Sequence, residues 1–396
     1  MIKMRIAIFT DTFLPQINGV VTATISLIKV LANKGHHIIL IAPDFGQSEK
    51  FKYNNVEIIQ VKGIPALFYE DFRLTKFFSF KVMKIIKEKK IELIHFQTPL
   101  MLGVQAIWIS RILKLPLVGT FHTLFTDSQY LRHFGMNNFL FQELFWAYAR
   151  AYYNRCNLIT CPSEAAKEAL VKNKFQKLIK VISNGIDSSI FDSSKWGQVK
   201  AKYNPKGKLL LFVGRLAYEK NLFYLLECFQ LVVKKIPETK LLIIGDGPQK
   251  AFIETRIKEL GLSKNVILTG KIEHEKLIKS SIFKACTLFV TASTTETQGI
   301  TMLEAQANGL VSVGIDAMGT KDLIKNNYNG YLVKDGDKKA FADAVIKLLE
   351  NKKLYLKMKK NTLKEIKKHD IKRISSIWEK EYSKLISKQR FLNSKN

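Results

Sequence analysis

Cys286-Thr-Leu-Phe-Val-Thr291, followed shortly by Glu296-Thr-Gln-Gly-Ile-Thr-Met-Leu-Glu304, is the join on which the chain's fold is read. The first piece is a short apolar run with strand character, and from Thr301 to Asn308 the pattern becomes helical. Glu296 is therefore expected in a loop at a strand's carboxyl end, where open α/β sheets bind their ligands. Gly299 and Ile300 open the helix, so their N–H groups lack intrahelical acceptors and suit an anion. Glu304 lies about one turn further along. Carboxylates accept hydrogen bonds from hydroxyls. Two of them on either side of an anion-binding helix start fit a ligand whose sugar hydroxyls flank phosphates, that is, a nucleotide sugar.

Outward from that join, apolar runs alternate with helical patterns along the whole chain, which predicts parallel sheets covered by helices. Arg5–Phe9, His37–Ala42, Val56–Val61, Leu93–Phe96, Leu117–Thr120, Leu158–Cys161 and Lys180–Ile182 read as strands of a first set. Val21–Lys34 reads as a helix between the first two. The pattern restarts at Leu209–Val213 and continues through Lys240–Ile244, Val266–Leu268, Leu288–Val290 and Val311–Gly314. Two Rossmann-like, doubly wound α/β domains facing a cleft are predicted, with boundaries at 1–183 and 184–370. The join falls near Ser183-Asn-Gly-Ile-Asp187, where Asn-Gly marks a turn. Residues 371–396 form a terminal segment in which Ile371–Lys388 reads as an amphipathic helix.

The chain has 396 residues, enough for two domains, and 47% of them are apolar. Sixty-three Lys and Arg against 34 Asp and Glu give a net charge of +29, which favours anionic partners: phosphates, nucleic acid or acidic lipid. The four cysteines form no Cys-x-x-Cys pair, which argues against a zinc site or a disulfide framework and fits a reducing compartment. The amino terminus runs directly into a strand without a signal-peptide layout, and no apolar run nears the roughly 20 residues of a membrane span. A cytoplasmic protein, peripheral on the inner face of the membrane, is the expectation.

Two further strand-to-helix turns carry anion-binding chemistry. Leu209-Leu-Leu-Phe-Val-Gly-Arg-Leu-Ala-Tyr-Glu-Lys-Asn221 places Arg215 and Lys220 just after a strand. The guanidinium binds phosphate bidentately and the ammonium adds a compact charge, so together they neutralise a leaving diphosphate where a metal would otherwise serve. Pro15-Gln-Ile-Asn-Gly-Val-Val-Thr22 places Gly19 at a helix start after the first strand, allowing close approach of backbone to a negative group. Neither the dinucleotide glycine fingerprint nor the P-loop is present. Asp335-Gly-Asp337 matches a metal-binding Asp-x-Asp literally, but Asp337 reads better as the N-cap of the following helix. No metal and no cofactor are predicted.

The Glu-x7-Glu string, with its Gly and its strand-to-helix setting, resembles the motif of retaining glycosyltransferases of the GT-B fold in family 4. Gly214-Arg-Leu…Glu219-Lys-Asn221 is similar to another string of that family. The resemblance implies that Glu296 touches the donor hexose, that Glu304 takes the ribose hydroxyls, and that Thr297, Gly299 and Ile300 complete the donor loop. It implies that the Gly19 loop covers the diphosphate and that the terminal helix crosses back to the first domain. His122, in Gly119-Thr-Phe-His-Thr123, matches a family histidine that hydrogen-bonds sugar hydroxyls and supports transition-state charge. His95 reads as structural, as does the turn Gly245-Asp-Gly-Pro248. The stretch Leu268-Thr-Gly-Lys271 is expected to present Lys271 and its backbone neighbours to the base.

The acceptor side is read from composition. In Asp71–Lys90, apolar residues recur with helical spacing among Arg73, Lys76, Lys81, Lys84 and further lysines, with Phe77 and Phe78 on the stripe. A basic amphipathic helix with aromatic residues suits an anionic membrane surface, and an ordinary half-buried helix is the competing reading. Phe125–Tyr153 is dense in aromatic rings, including Phe125, Tyr130, Phe134 and Trp146, and is assigned to a bilayer interface or greasy acceptor groove, against plain core packing. These features resemble bacterial monoglycosyldiacylglycerol synthases. The resemblance implies transfer of a hexose from UDP-glucose or UDP-galactose to 1,2-diacylglycerol. A phosphatidylinositol, sterol or saccharide acceptor is the alternative within the class. A non-catalytic nucleic-acid binder is the alternative outside it, and the absence of any nucleic-acid recognition motif speaks against that reading.

Overall fold

In the computed structural model, which describes residues 3–16, 18–46, 51–66, 69–123, 139–192, 194–204 and 207–395, the apolar runs of the sequence form parallel strands. The chain divides into two units, Met1–Gly185 with Ile371–Asn396, and Ile186–Asp370.

The first unit contains β1 (Arg5–Phe9), β2 (His37–Pro43), β3 (Val56–Val61), β4 (Gly63–Ala66), β5 (Tyr69–Thr75), β6 (Leu93–Phe96), β7 (Leu117–Thr120), β8 (Leu158–Cys161) and β9 (Ile179–Val181). Seven of these form one sheet in the order β3-β2-β1-β6-β7-β8-β9, all parallel. This is a doubly wound order, with its topological switch point between β1 and β6. The helix Gly19–Asn33 starts where the Asn18 side chain accepts from the Val21 N–H. It buries Val21, Thr24, Leu27, Ile28 and Leu31, the i, i+3, i+4 stripe of an amphipathic helix. Val21, Leu27, Ile28 and Leu31 pack with Ile6 and Ile8 of β1 and with Ile374, Trp378, Tyr382 and Ile386 of the terminal helix Ile371–Ser394. The terminal helix is thus part of the first unit's core. Ion pairs Lys34–Glu379 and Lys180–Glu381 add to its attachment.

The second unit contains β10 (Leu209–Val213), β11 (Lys240–Ile244), β12 (Val266–Leu268), β13 (Leu288–Thr291), β14 (Val311–Ile315) and β15 (Gly330–Val333). They form one parallel sheet in the order β12-β11-β10-β13-β14-β15, with the switch point between β10 and β13. The period-2 alternation of strands splits β10 between two cores. Leu210 and Phe212 pack with the helices Leu222–Lys235 and Lys338–Glu350, while Leu209, Leu211 and Val213 pack with Met302 and Leu303 of the helix Ile300–Ala307. Both faces are covered, which is why these strands read as unbroken apolar runs.

The structure corrects the reading of Asp71–Lys90 as one basic helix. Tyr69–Thr75 is a strand, paired antiparallel with Gly63–Ala66, so Arg73 and Leu74 lie in a hairpin opposite Pro65 and Ile64. The helix is only Phe80–Glu88, capped by Ser79, whose hydroxyl accepts from the Val82 N–H. Aromatic and β-branched residues at Tyr69, Phe72 and Thr75 favour a strand once a partner is beside them. That partner lies upstream, outside the helical window. Arg73 places its guanidinium over the Phe45 ring at 5.3 Å and is half-buried. Phe78 is also half-buried, packed edge-on against Phe80 at 5.0 Å. Arg73, Lys76, Phe77 and Phe78 are therefore not helical. Lys76, Phe77, Lys81 and Lys84 are exposed, and Phe80, 76% exposed, joins them.

Trp146 is a second correction. It is buried, stacked on Phe121 at 6.2 Å and meeting Phe175 edge-on at 6.1 Å. Tyr153 of the same helix, Phe139–Tyr153, is fully buried against Phe96. Here aromatic density means core packing, and the helix exposes Leu140 and Leu144 instead. Phe125, Tyr130 and Phe134 lie outside the described residues.

Candidate functional site

In the second unit, the candidate residues gather at the switch point between β10 and β13. The loop after β10 carries Arg215 and then a single 3-10 turn, Tyr218–Lys220, before Asn221 turns into the next helix. The loop after β13 carries Glu296, Thr297 and Gln298. The two loops are tied together: the Ser293 hydroxyl donates to the Glu219 carbonyl at 2.9 Å, and Lys220 Nζ pairs with Glu296 Oε1. Burial opposes the Lys220 charge, but Glu296 and Glu219 outweigh it and hold the ammonium above its ordinary pKa. Burial lowers Arg215 somewhat, and a guanidinium stays charged regardless.

Gly299 has φ of 81° and caps the helix Ile300–Ala307, so this turn needs the left-handed region that glycine enters without strain. The Glu296 loop is held from behind by Gly319. Its N–H donates to the Glu296 carbonyl at 2.7 Å, and a Cβ there would stand 2.3 Å from the Thr297 carbonyl oxygen. On the other side, the turn Gly245–Pro248 braces the Arg215 loop: Leu216 N–H donates to the Asp246 carbonyl at 2.9 Å. This contact gives the turn the structural role expected of it, as a brace.

Glu304 is buried within the helix Ile300–Ala307, 2% exposed. Its Oε1 accepts from Nε2 of His274 at 2.5 Å, and its Oε2 has no hydrogen-bond partner among the described residues. His274 begins a short helix in the segment after β12, the same segment that carries the exposed Lys271. Sequence reading named Lys271 there and missed His274. A histidine 30 positions from a glutamate carries no periodic signal. Ser293 and Gly319 were missed for the same reason.

The first unit has its own cluster at the ends of β1, β6 and β7. His122 follows β7, and its Nε2 meets Gln97 Oε1 at 2.6 Å. Burial drives its pKa down to about 4, so the ring is neutral at pH 7 and acts as a hydrogen-bonding group, with Nε2 donating to Gln97 Oε1. His95, within β6, is fully buried between the Tyr382 hydroxyl and the Thr120 hydroxyl, each at 2.6 Å. It is structural, as expected. Asp11, at the end of β1, is buried and accepts from the Thr98 hydroxyl at 2.7 Å and from the Leu102 N–H at 2.8 Å. Burial raises its carboxyl to about 6 against those hydrogen bonds. Gly19 is the first residue of its helix; Ile17, in the loop before it, lies outside the described residues.

Among the described residues no cluster of three or more His, Cys, Asp or Glu is arranged to hold a metal ion. Asp337 caps the helix Lys338–Glu350, accepting from the Ala340 N–H at 2.9 Å. No described helix is long and apolar enough to cross a membrane.

Comparison with known proteins agrees with this geometry. Residues 197–365 match the family model described as Glycosyl transferases group 1, and residues 17–190 match Glycosyltransferase Family 4. An alpha-monoglucosyldiacylglycerol synthase of Streptococcus pneumoniae is 31% identical, covering 77% of this chain and 70% of its own length. A synthase of the same name from Acholeplasma laidlawii is 29% identical over 78% of this chain and 79% of its own. A GDP-mannose-dependent alpha-mannosyltransferase of Corynebacterium glutamicum is 27% identical over 83% and 76%. Among solved structures, Anabaena HepE in complex with UDP and glucose superposes with a TM-score of 0.76 over 96% of this chain and 100% of its own, at 19% identity, a likeness of fold.

Proposed function

Because this chain belongs to glycosyltransferase family 4 and has the GT-B fold, we propose that it moves a hexose, glucose or galactose, from a uridine diphosphate sugar to 1,2-diacylglycerol, with retention. One observation carries the donor half of this reading. The buried Glu304 Oε2 lacks a donor, on a helix whose start adjoins the Lys220–Glu296 pair. A buried oxygen without a hydrogen bond costs about 1–3 kcal/mol, and a ribose hydroxyl supplies what is missing. The diphosphate then meets Lys220, Arg215 and the N–H groups at Gly299 and Ile300, and Glu296 exchanges part of its contact with Lys220 for hexose hydroxyls. Lys271 and its loop serve the base. The two cations neutralise the leaving group, so the reaction as proposed uses no metal.

In the transfer step the bond from the anomeric carbon to the diphosphate oxygen breaks. The bond to the acceptor hydroxyl oxygen forms on the same face, and the departing phosphate takes the hydroxyl proton. His122, neutral, hydrogen-bonds sugar hydroxyls. The acceptor is inferred from the two synthases among the relatives and from the exposed Lys76, Phe77, Phe80, Lys81 and Lys84, which suit an anionic lipid surface on the inner face of the membrane. Nucleic acid is not the partner proposed. The GDP-mannose-dependent relatives favour one second reading, a GDP-mannose donor.

The test is a panel of radiolabelled UDP-glucose, UDP-galactose and GDP-mannose with diacylglycerol in anionic micelles. The expected product is monohexosyldiacylglycerol from a UDP-sugar, lost in Lys220→Ala and Glu296→Ala variants that keep the wild-type melting temperature. Normal turnover by either folded variant would falsify the site assignment, and product from GDP-mannose alone replaces the donor.

A further inference from the structure

His274 is not among the residues that the family resemblance marks, yet it is the group that holds Glu304. The glutamate side chain is 2% exposed, and one of its two oxygens is occupied at 2.5 Å by His274 Nε2 while the other has no partner among the described residues. A buried carboxylate with both oxygens unpaired is strongly disfavoured and would rotate toward any available donor. By taking Oε1, the imidazole fixes the plane of the carboxylate and leaves Oε2 as the acceptor for a ligand. The imidazole comes from the segment following β12 and the carboxylate from the helix following β13, so their contact also sets the position of the segment that carries Lys271.

We propose that His274 is a positioning residue for the nucleoside ribose: it orients Glu304 so that a single carboxylate oxygen faces the ribose hydroxyls, and it thereby makes binding selective for a ribose over a sugar lacking those hydroxyls. This rests on the reading of Glu304 as the ribose acceptor. Sites that hydrogen-bond a ligand hydroxyl reject the analogue without it, because their own polar group is then left unpaired. The selectivity depends on that group being held in place.

The test is calorimetric binding of UDP and GDP, each beside its 2′,3′-dideoxy form, to the full chain as wild type, His274→Ala and His274→Gln. The expected result is that wild type prefers the ribose form of its nucleotide by tenfold or more. His274→Ala weakens the ribose form by about tenfold, the size of one charge-assisted hydrogen bond, and leaves the dideoxy form unchanged. His274→Gln, whose amide can donate to Oε1, keeps most of the preference. In steady-state assays the His274→Ala change falls on the donor KM and not on kcat. Undiminished preference in His274→Ala overturns the inference, and so does equal weakening of both forms, which marks a purely structural role. A wild type that does not distinguish ribose from dideoxyribose, or binds neither nucleotide, overturns the ribose reading of Glu304 and the inference with it.

Discussion

At the scale of single residues, the decisive quantity is how burial and partners set each charge. Lys220 is stabilised as a cation by Glu296 and Glu219 despite burial, so its charge persists across the physiological range. His122 is the opposite case: burial lowers it from 6.5 to about 4. A histidine lowered on folding contributes stability that is fully present above its unfolded pKa and is lost as pH falls from 6.5 toward 4, because the unfolded chain binds the proton first. Two outcomes are expected. The His122 ring signal in an NMR titration has its midpoint near 4, and a pH–rate profile between 6 and 8 carries no inflection from His122. An inflection near 6.5 that disappears in His122→Gln contradicts a neutral role. The places of Glu296, Arg215, Lys220 and His122 in turns after strands were legible in the sequence, because each follows an apolar run by a few residues, and the roles given to them rest on the family resemblance. His274, Gln97 and Gly319 were not, because what marks them is a contact with a distant residue.

At the scale of elements, the two acceptor-side segments separate into surface and core. Val82 and Ile86 anchor the helix Phe80–Glu88, while Lys81, Lys84 and Phe80 face outward. Lysines at an anionic membrane surface contribute about 1 kcal/mol each. Lys81→Glu with Lys84→Glu is therefore expected to lower sedimentation with anionic vesicles at least tenfold, with no loss of melting temperature. Trp146→Ala should do the reverse. Removing a buried tryptophan costs about 3–5 kcal/mol, read by denaturant unfolding, while vesicle affinity per folded molecule stays unchanged. Reduced vesicle binding by folded Trp146→Ala would return Trp146 to the membrane surface. Helical spacing alone could not separate these cases. The stripe through Leu74, Phe77 and Phe78 fits a helix, but Tyr69–Thr75 had a strand partner three to twelve residues upstream in Gly63–Ala66, and cross-strand pairing prevailed.

At the scale of the whole molecule, the terminal helix closes the first unit's core from the far end of the sequence. Trp378 and Tyr382 are buried, and the Tyr382 hydroxyl meets His95 Nδ1, whose ring lies beside Gln97 and so next to the partner of His122. Tyr382→Phe deletes one buried hydrogen bond and leaves His95 half-satisfied. The expected cost is about 1–3 kcal/mol in unfolding free energy. Unchanged stability in that variant would show that the hydroxyl does not support the core.

The sequence by itself determined the two parallel sheets, most strand positions, the Glu296 loop and the helix after it, the Arg215–Lys220 turn and the Asp337 cap. Those features are written in local periodicity, in the turn chemistry at strand ends and in capping, all of which act within about ten residues. Tertiary structure decided the β4–β5 hairpin, the burial of Trp146, the hold of Gly319 on the Glu296 loop and the pairing of His274 with Glu304. Each depends on which distant segment packs alongside, and side-chain burial and hydrogen bonding between remote segments are fixed only when the chain has closed on itself.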